Sequence, residues 1–199
     1  MPENSRDRIL DAASHVMGTL GLARTTTKEI ARQAGYSEAM LYKVFRTKEE
    51  MFLAVLEERM PGLSPLLRGL PDRVGEGEVL DTVRELVRAA LTFYRRTFPI
   101  AASLFAEPQL LAAHREVMQA QQKGPQVVAE SVAGYLRAEQ KAGRVSERAD
   151  PDAIAHMLMG GCLNYAFLTH FTDRLPWATE DECVTALSDA VQPLLERER

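Results

Sequence analysis

Residues able to bind an anionic partner are concentrated in the first quarter of the sequence. Residues 1–48 contain eight Lys or Arg against five Asp or Glu, whereas the rest of the chain contains 16 against 23. The whole chain of 199 residues carries a formal charge of −4, which does not favour coating a polyanion by bulk charge. An anionic partner is therefore expected to meet the N-terminal quarter, although chance asymmetry on a solvated surface would give the same distribution.

The sequence contains little of the chemistry that enzymes use. It has no GxSxG, HExxH or P-loop motif, and its four histidines are scattered. Cys162 and Cys183 each stand alone, without a CxxC spacing, which argues against a zinc site. We expect no enzymatic activity, no cofactor, no metal and reduced thiols, as in a cytoplasmic protein. An enzyme that uses the N-terminal helices as scaffold is the competing hypothesis.

The same quarter contains the capping residues and the glycine that are typical of two short helices joined by a tight turn. In "TTTKEIARQAGYSEAMLYKVF", Thr26 can accept the backbone N–H of Glu29, and the Glu29 carboxylate can return to the cap. Gly35 stands where a helix turns through the left-handed conformation, which costs a residue with a Cβ about 1 kcal/mol or more. Ser37 can then cap a second helix. Two short helices joined by such a turn predict a helix-turn-helix.

Apolar residues supply the faces on which such a unit must pack. An apolar stripe at helical spacing over residues 9–20 provides a third wall for the two short helices. Residues 47–50 form another capping box, with an apolar helix behind it. The residues of the second short helix that are expected to face inward are Leu41, Val44 and Phe45.

One segment resembles the N-terminal signature of the TetR/AcrR family of transcriptional regulators. It reads "TTTKEIARQAGYSEAMLYKVFRTKEEMFLAVL". It has the family's Thr followed by Ile-Ala, the Ala-Gly before the turn, a Leu-Tyr pair with Phe three residues after the Tyr, and a Lys-Glu that opens the fourth helix. The resemblance covers residues 9–56, and beyond it only the family's general plan of long helices is visible.

The resemblance implies an all-α fold with two domains. Residues 1–50 would form an N-terminal three-helix helix-turn-helix DNA-binding domain, and residues 51–199 a C-terminal helical ligand-binding and dimerisation domain. The implied function is that of a ligand-responsive regulator, most readily a repressor, that binds a palindromic operator as a homodimer. A small, largely apolar effector would release it. An activator or architectural dimer without an effector is the alternative.

The resemblance also assigns roles in DNA binding, because in this family the third helix enters the major groove. Tyr42 and Lys48 are expected to contact phosphate, and the backbone N–H groups at Thr26 and Thr27 a further phosphate. The residues expected to face base edges are Lys28, Ser37, Glu38, Ala39 and Lys43.

Several of these residues have a purely structural explanation as well. Thr26 is only a cap in that view, Tyr42 only a packing residue and Lys43 only surface. Glu38 departs from a basic expectation, because its carboxylate can either accept from a cytosine amino group or merely favour the helix dipole. Ala39 stands where many relatives carry glycine, which leaves less room beside the backbone. The operator sequence therefore stays open.

The remainder of the chain is helical by pattern, without the alternating runs that predict strands. Amphipathic runs and capping signals predict helices at residues 79–94, at residues 127–142, from Asp150 and from Thr179. Pro99 and Pro108 are expected to interrupt the chain after the helix predicted at residues 79–94. The segment 61–77, with three Pro and four Gly, is the best candidate for a loose joint between two parts.

Residues 153–172 contain no Asp, Glu, Lys or Arg, and their length fits a bilayer span of about 20 residues. His156 and Asn164 interrupt this segment, so we expect a helix buried in protein and no membrane partner. Two apolar stripes on it predict two packing partners, its own core and a second subunit, with the central helix of a monomer as the alternative. The expected dimer contacts are Met157, Gly161, Leu168, Leu187 and Val191.

Aromatic and soft apolar side chains predict where an effector would bind. Most of them also suit an ordinary core, so the two interpretations stay open for each residue. The expected lining residues are Phe93, Tyr94, Phe98, Phe105, His114, Met118, Tyr135, Asn164 and Tyr165, with His114 and Asn164 as polar anchors.

Overall fold

A computed structural model describes residues 4–21, 24–59, 62–120 and 124–196, and the regular elements within them are helical. The predicted all-α class is confirmed. The helices are α1 Ser5–Leu20, α2 Thr27–Ala34, α3 Glu38–Val44, α4 Lys48–Glu58, α5 Ser64–Gly69, α6 Val79–Leu104, α7 Pro108–Ala120, α8 Pro125–Lys141, α9 Pro151–Phe171 and α10 Glu180–Leu195.

The chain divides into two compact units, each with its own core. Unit 1 comprises Met1–Pro61 and Arg96–Met118, and unit 2 comprises Gly62–Arg95 and Gln119–Arg199. In unit 1 the apolar sides of α1 to α4 are buried together with Ile100, Leu104 and Leu110. In unit 2 the core is built from α6, α8, α9 and α10. The boundary predicted at residue 50 falls within α4 and stays a prediction.

Hydroxyl caps begin α2 and α4, as the sequence predicts. The Thr26 hydroxyl accepts the backbone N–H of Glu29 at 3.1 Å, and the Thr47 hydroxyl accepts that of Glu50 at 3.0 Å. The expected return of the Glu29 carboxylate to its cap is wrong, because this carboxylate pairs with Arg32 on the next turn. These caps satisfy N–H groups that the first turn of a helix leaves without an intrahelical partner.

Ser37 occupies the cap position of α3 but makes no side-chain cap bond, contrary to prediction. The N–H of Met40, which a capping hydroxyl would accept, donates instead to the Ser37 carbonyl at 3.0 Å. The first turn of α3 is therefore closed by the backbone itself. This leaves the Ser37 side chain exposed.

The corner between α2 and α3 is a left-handed turn at Gly35. Its backbone has φ 73° and ψ 31°. The Gly35 N–H donates to the Arg32 carbonyl at 3.3 Å, and the Tyr36 N–H donates to the Ala31 carbonyl at 2.9 Å. This pair of bonds is the Schellman arrangement that ends many helices. The prediction of a left-handed glycine at this corner is confirmed.

One expectation about helix-breaking residues is wrong. Pro99 lies inside α6 rather than after it. Because proline has no N–H, the Arg95 carbonyl loses its helical donor, and His170 Nε2 lies 3.0 Å from that oxygen and donates to it in the matching tautomer. Segment 61–77 contains α5 and a 3₁₀ turn at Pro71–Arg73 and buries Leu70, and the division between the two units falls at its start, so its role as a loose joint stays a prediction. Residue 61 lies outside the described residues.

No helix in the described parts of the chain combines the length and apolar character needed to cross a bilayer.

We expect Gly35→Ala to lower the free energy of unfolding by about 1 kcal/mol, because an L side chain resists the left-handed conformation. The nearest atom to an added Cβ would be Arg8 Nη2 at 3.6 Å, so the cost comes from the backbone and not from crowding. Urea unfolding measures it.

Gly18→Ala is the matched control for that change. Gly18 lies in the interior of α1, with no heavy atom within 4 Å of an added Cβ, so the same substitution should stabilise by about 0.5–1 kcal/mol. If both substitutions changed the free energy of unfolding by the same amount in the same direction, the left-handed turn would not be what requires glycine at position 35.

Candidate nucleic-acid interface

Helix α3 turns one face into the core of unit 1 and the other outward. Leu41 and Phe45 are buried, as predicted, whereas Val44 is only half-buried. The opposite side of the helix presents Glu38, Ala39, Tyr42 and Lys43 to solvent, and Tyr42 is 50% exposed. Positions separated by three or four residues lie on one side of a helix, so these side chains form a single outward face.

The outward face is tied to the start of α2 by a side-chain hydrogen bond. The Thr27 hydroxyl donates to Oε2 of Glu38 at 2.9 Å. Glu38 stays exposed, and one of its two carboxylate oxygens is thereby held in place. This contact orients an acceptor at the first turn of α3, a role that the sequence alone did not indicate for Thr27.

Lys48 begins α4, is half-buried and places its ammonium group over an aromatic ring. Its Nζ lies 4.9 Å from the ring centroid of Phe52. Such a cation–π contact limits where the ammonium group can lie. Lys28 and Ser37 are exposed, and the Thr26 hydroxyl is used as a cap. The contacts of all these residues with DNA stay predictions.

Ion pairs connect α1 to the C-terminal end of α4, and these two helices pack in the same core as α3. Arg6 donates from Nη1 and Nη2 to both carboxylate oxygens of Glu58, at 2.6 and 2.7 Å. This hydrogen bonding lowers the pKa of Glu58 below the ordinary carboxyl value. Arg59 pairs with Asp7 and Asp11, each at 2.6 Å. Sequence reasoning missed these pairs, because their partners are far apart along the chain and no local spacing rule connects them.

The predicted effector residues are divided between the two units. In unit 2, Phe93 and Tyr94 are half-buried with ring centroids 5.2 Å apart, and burial raises the pKa of Tyr94 to about 12. Tyr135 and Tyr165 are buried within the unit 2 core. Asn164 is exposed, whereas its neighbour Tyr165 is buried.

The other predicted effector residues belong to unit 1. Phe98, His114 and Met118 are half-buried, whereas Phe105 is 73% exposed and encloses nothing. None of the predicted residues lines the open groove of about 500 Å³ in unit 2. That groove is lined by Gly77, Glu78, Val79, Leu80, Asp81, Arg84, Arg144, Gln192, Leu195 and Glu196.

The predicted dimer residues are divided between surface and core. Met157 on α9 is 58% exposed, and Leu168 is half-buried. Val191 is only 2% exposed because it packs within the unit 2 core, so it offers no surface to a second subunit, contrary to expectation. Gly161 and Leu187 face each other within the protomer, where a Cβ on Gly161 would come within 2.8 Å of Leu187 Cδ2.

An exposed apolar surface nevertheless follows α9 and α10 of unit 2. Large hydrophobic side chains left in solvent on two neighbouring helices mark an interaction surface more often than an isolated one does. The members of this surface, which we call the α9–α10 face, are Met157, Leu163, Phe167, Phe171 and Leu194.

Part of the sequence of unit 1 matches the profile of a known family. Residues 9–55 match the profile described as "Bacterial regulatory proteins, tetR family". The chain is 33% identical over 94 residues to the nucleoid occlusion factor SlmA of Vibrio vulnificus (strain YJ016), and 36% identical over 95 residues to that of Aliivibrio fischeri (strain MJ11). Each match covers 47% of both proteins, so the chain spans about half the length of the curated relatives that it matches.

Solved structures share the fold over nearly the whole chain. A TetR-family regulator from Mesorhizobium loti gives a TM-score of 0.71 at 20% identity, covering 96% of this chain and 94% of that one. A regulator from Saccharomonospora viridis in complex with choline gives 0.72 at 19%, covering 97% and 98%. FadR from Bacillus subtilis in complex with stearoyl-CoA gives 0.65 at 14%, covering 95% and 98%. At these identities the likeness establishes the fold alone.

Proposed function

We propose that the chain, whose residues 9–55 match the profile of the tetR family of bacterial regulatory proteins, is a transcriptional regulator that represses from a palindromic operator as a homodimer. A small, largely apolar effector releases it. The observation that carries the proposal is the two-sided α3, with Leu41 and Phe45 anchored in the core while Tyr42 and Lys43 face solvent. In this proposal the protein works in the cytoplasm and is not an enzyme.

The exposed face of α3 suits the major groove of DNA. B-DNA admits an α-helix there, and the donors and acceptors of the base edges differ for each base pair. Glu38, Ala39 and Lys43 lie on that face and are proposed to meet base edges, together with Ser37 and Lys28. Because Thr27 holds one Glu38 oxygen, the carboxylate is a preorganised acceptor for the amino group of cytosine.

Phosphate contacts would set the register of α3 in the groove. The phenol of Tyr42 and the ammonium of Lys48 are proposed for this role, since the first is half-exposed and the second is restrained beside Phe52. The first turn of α2 adds backbone N–H groups at Thr27, and an anion is favoured at the start of a helix.

Dimerisation is proposed to use the α9–α10 face. Met157, Leu163 and Phe167 are apolar and exposed on one side of a helix that contains no Asp, Glu, Lys or Arg after Asp152. Pairing two copies of this face would bury it in a four-helix bundle and place two α3 helices on one operator. Half-sites about 34–36 Å apart, one turn of DNA, fit two recognition helices related by a two-fold axis.

The effector proposal rests on unit 2. Phe93 and Tyr94 form a half-buried aromatic pair there, and burial raises the pKa of the Tyr94 phenol to about 12. Structures of the same fold hold choline and stearoyl-CoA, which supports a ligand for this chain without naming one. An effector acts only if it binds the released state more tightly than the DNA-bound state. A regulator without an effector is the second candidate.

Replacing Lys48 tests DNA binding. On a duplex selected from a random library by the wild-type protein, the slope of log K against log salt should fall by about two in Lys48→Met, one for each subunit, because each lost phosphate contact releases one counterion fewer. Methionine keeps an unbranched stem beside Phe52. The exposed Lys141→Met on α8 makes the same charge change and should leave the slope unaltered. A wild-type protein that selects no duplex contradicts the proposal.

Acidic substitutions test the dimer. Met157→Glu and Leu163→Glu each place a carboxylate on the α9–α10 face, so sedimentation should show monomers at concentrations where the wild type is a dimer, with weaker operator binding. Leu20→Glu introduces the same charge at an exposed apolar position of α1 and should leave the dimer intact. A wild-type protein that is monomeric both free and bound to the operator would contradict the proposed dimer.

A ligand screen tests the effector. We expect at least one apolar metabolite to raise the melting temperature and release the operator, while leaving low-salt complexes with unrelated DNA intact. Tyr94→Leu should shift the concentration needed for release without changing operator affinity, whereas Phe105→Leu, at an exposed aromatic residue, should change neither. Compounds that bind without affecting the DNA complex would favour the regulator without an effector.

A further inference from the structure

The direction of α3 depends on groups that lie outside the helix-turn-helix itself. The Schellman bonds at the corner use the carbonyls of Ala31 and Arg32. The Ala34 carbonyl, at the end of α2, accepts a hydrogen bond from Nη2 of Arg8 at 3.2 Å. Arg8 belongs to α1, so the corner is fixed by a charge-assisted bond from a different helix.

Arg8 also covers the residue that follows the corner. Its guanidinium carbon lies 5.2 Å from the ring centroid of Tyr36, within cation–π distance. The Tyr36 hydroxyl donates to Oγ of Ser5 at 3.4 Å, again on α1. One turn of α1 therefore contacts the corner at a carbonyl, at a ring face and at a hydroxyl.

The far end of α3 is held in the same manner. Arg6 places its guanidinium carbon 5.4 Å from the ring centroid of Phe45, the residue that ends α3. Both of its Nη atoms donate to Glu58 at the end of α4. Two arginines of α1, with one residue between them, thus contact the corner that precedes α3 and the residue that follows it.

We infer that Arg8 is a positioning residue for operator recognition, which orients α3 through the Ala34 carbonyl and the Tyr36 ring and does not itself contact phosphate. The inference rests on the proposed function. A guanidinium can lie flat on a ring while one nitrogen donates in its plane, whereas an ammonium is a point charge that cannot make both contacts in this geometry. Specific binding therefore depends on Arg8 as arginine, and not merely as a positive charge.

The test separates charge from geometry. Affinities are measured for the duplex selected by the wild type and for an unrelated duplex. We expect Arg8→Lys to lower the ratio of specific to non-specific affinity about tenfold, with an unchanged slope of log K against log salt. Arg8→Met should lower that ratio at least as much and also leave the slope unchanged. Arg32→Met removes a charge from α2 that pairs with Glu29 and should preserve the ratio.

A double-mutant cycle provides a readout that a general loss of stability does not change. If Arg8 acts through Tyr36, adding Arg8→Met to a Tyr36→Leu variant should cost less specificity than it costs in the wild type. All affinities are measured well below each variant's melting temperature, so that only folded protein contributes. Additive losses would overturn the role of Tyr36 in the inference.

The outcomes distinguish the inference from the function on which it rests. A salt slope lower by about two in Arg8→Met, with the ratio unchanged, would make Arg8 a phosphate contact and overturn the inference while the proposed function stands. An unchanged ratio in Arg8→Lys overturns it as well. A wild type with no preference between the duplexes refutes the proposed function and the inference with it.

Discussion

The left-handed turn at Gly35 is the constraint on which the helix-turn-helix depends. α2 and α3 have eight and seven residues, which is too short for either helix to be stable alone in water. Their stability must come from packing, and the corner decides which side of α3 packs. With Gly35 at φ 73°, Leu41 and Phe45 enter the core, where burial of each contributes about 1.5–3 kcal/mol. The polar side is turned outward as a consequence.

Unit 2 distributes its apolar surface differently. α9 buries Ile154, Leu158 and Tyr165 in its own unit and leaves Met157 and Phe167 in solvent. A helix with apolar residues on both sides requires partners on both sides. The proposed dimer supplies the second partner, and it also supplies the second copy of α3 that a palindrome needs. The same physical term, burial of apolar surface, would then stabilise each protomer and its pairing.

Local signals in the sequence predicted the local structure well. Thr26, Thr47 and Gly35 act as predicted, because caps and left-handed turns depend on residues only a few positions away. Expectations failed where distant residues decide the outcome. Pro99 lies within α6, where His170 contacts the carbonyl that the proline leaves without a helical donor, and Val191 is buried in the unit 2 core. No pattern along the chain reveals such contacts.

Methylation interference on the selected operator tests the central claim most directly. Methyl groups on guanine N7 lie in the major groove and those on adenine N3 in the minor groove, so the modified sites report which groove the protein occupies. We expect guanine N7 methylation to block binding in two patches centred about 10 base pairs apart. Interference from adenine N3 alone, or from a single patch, would contradict an α3 helix in the major groove of each half-site.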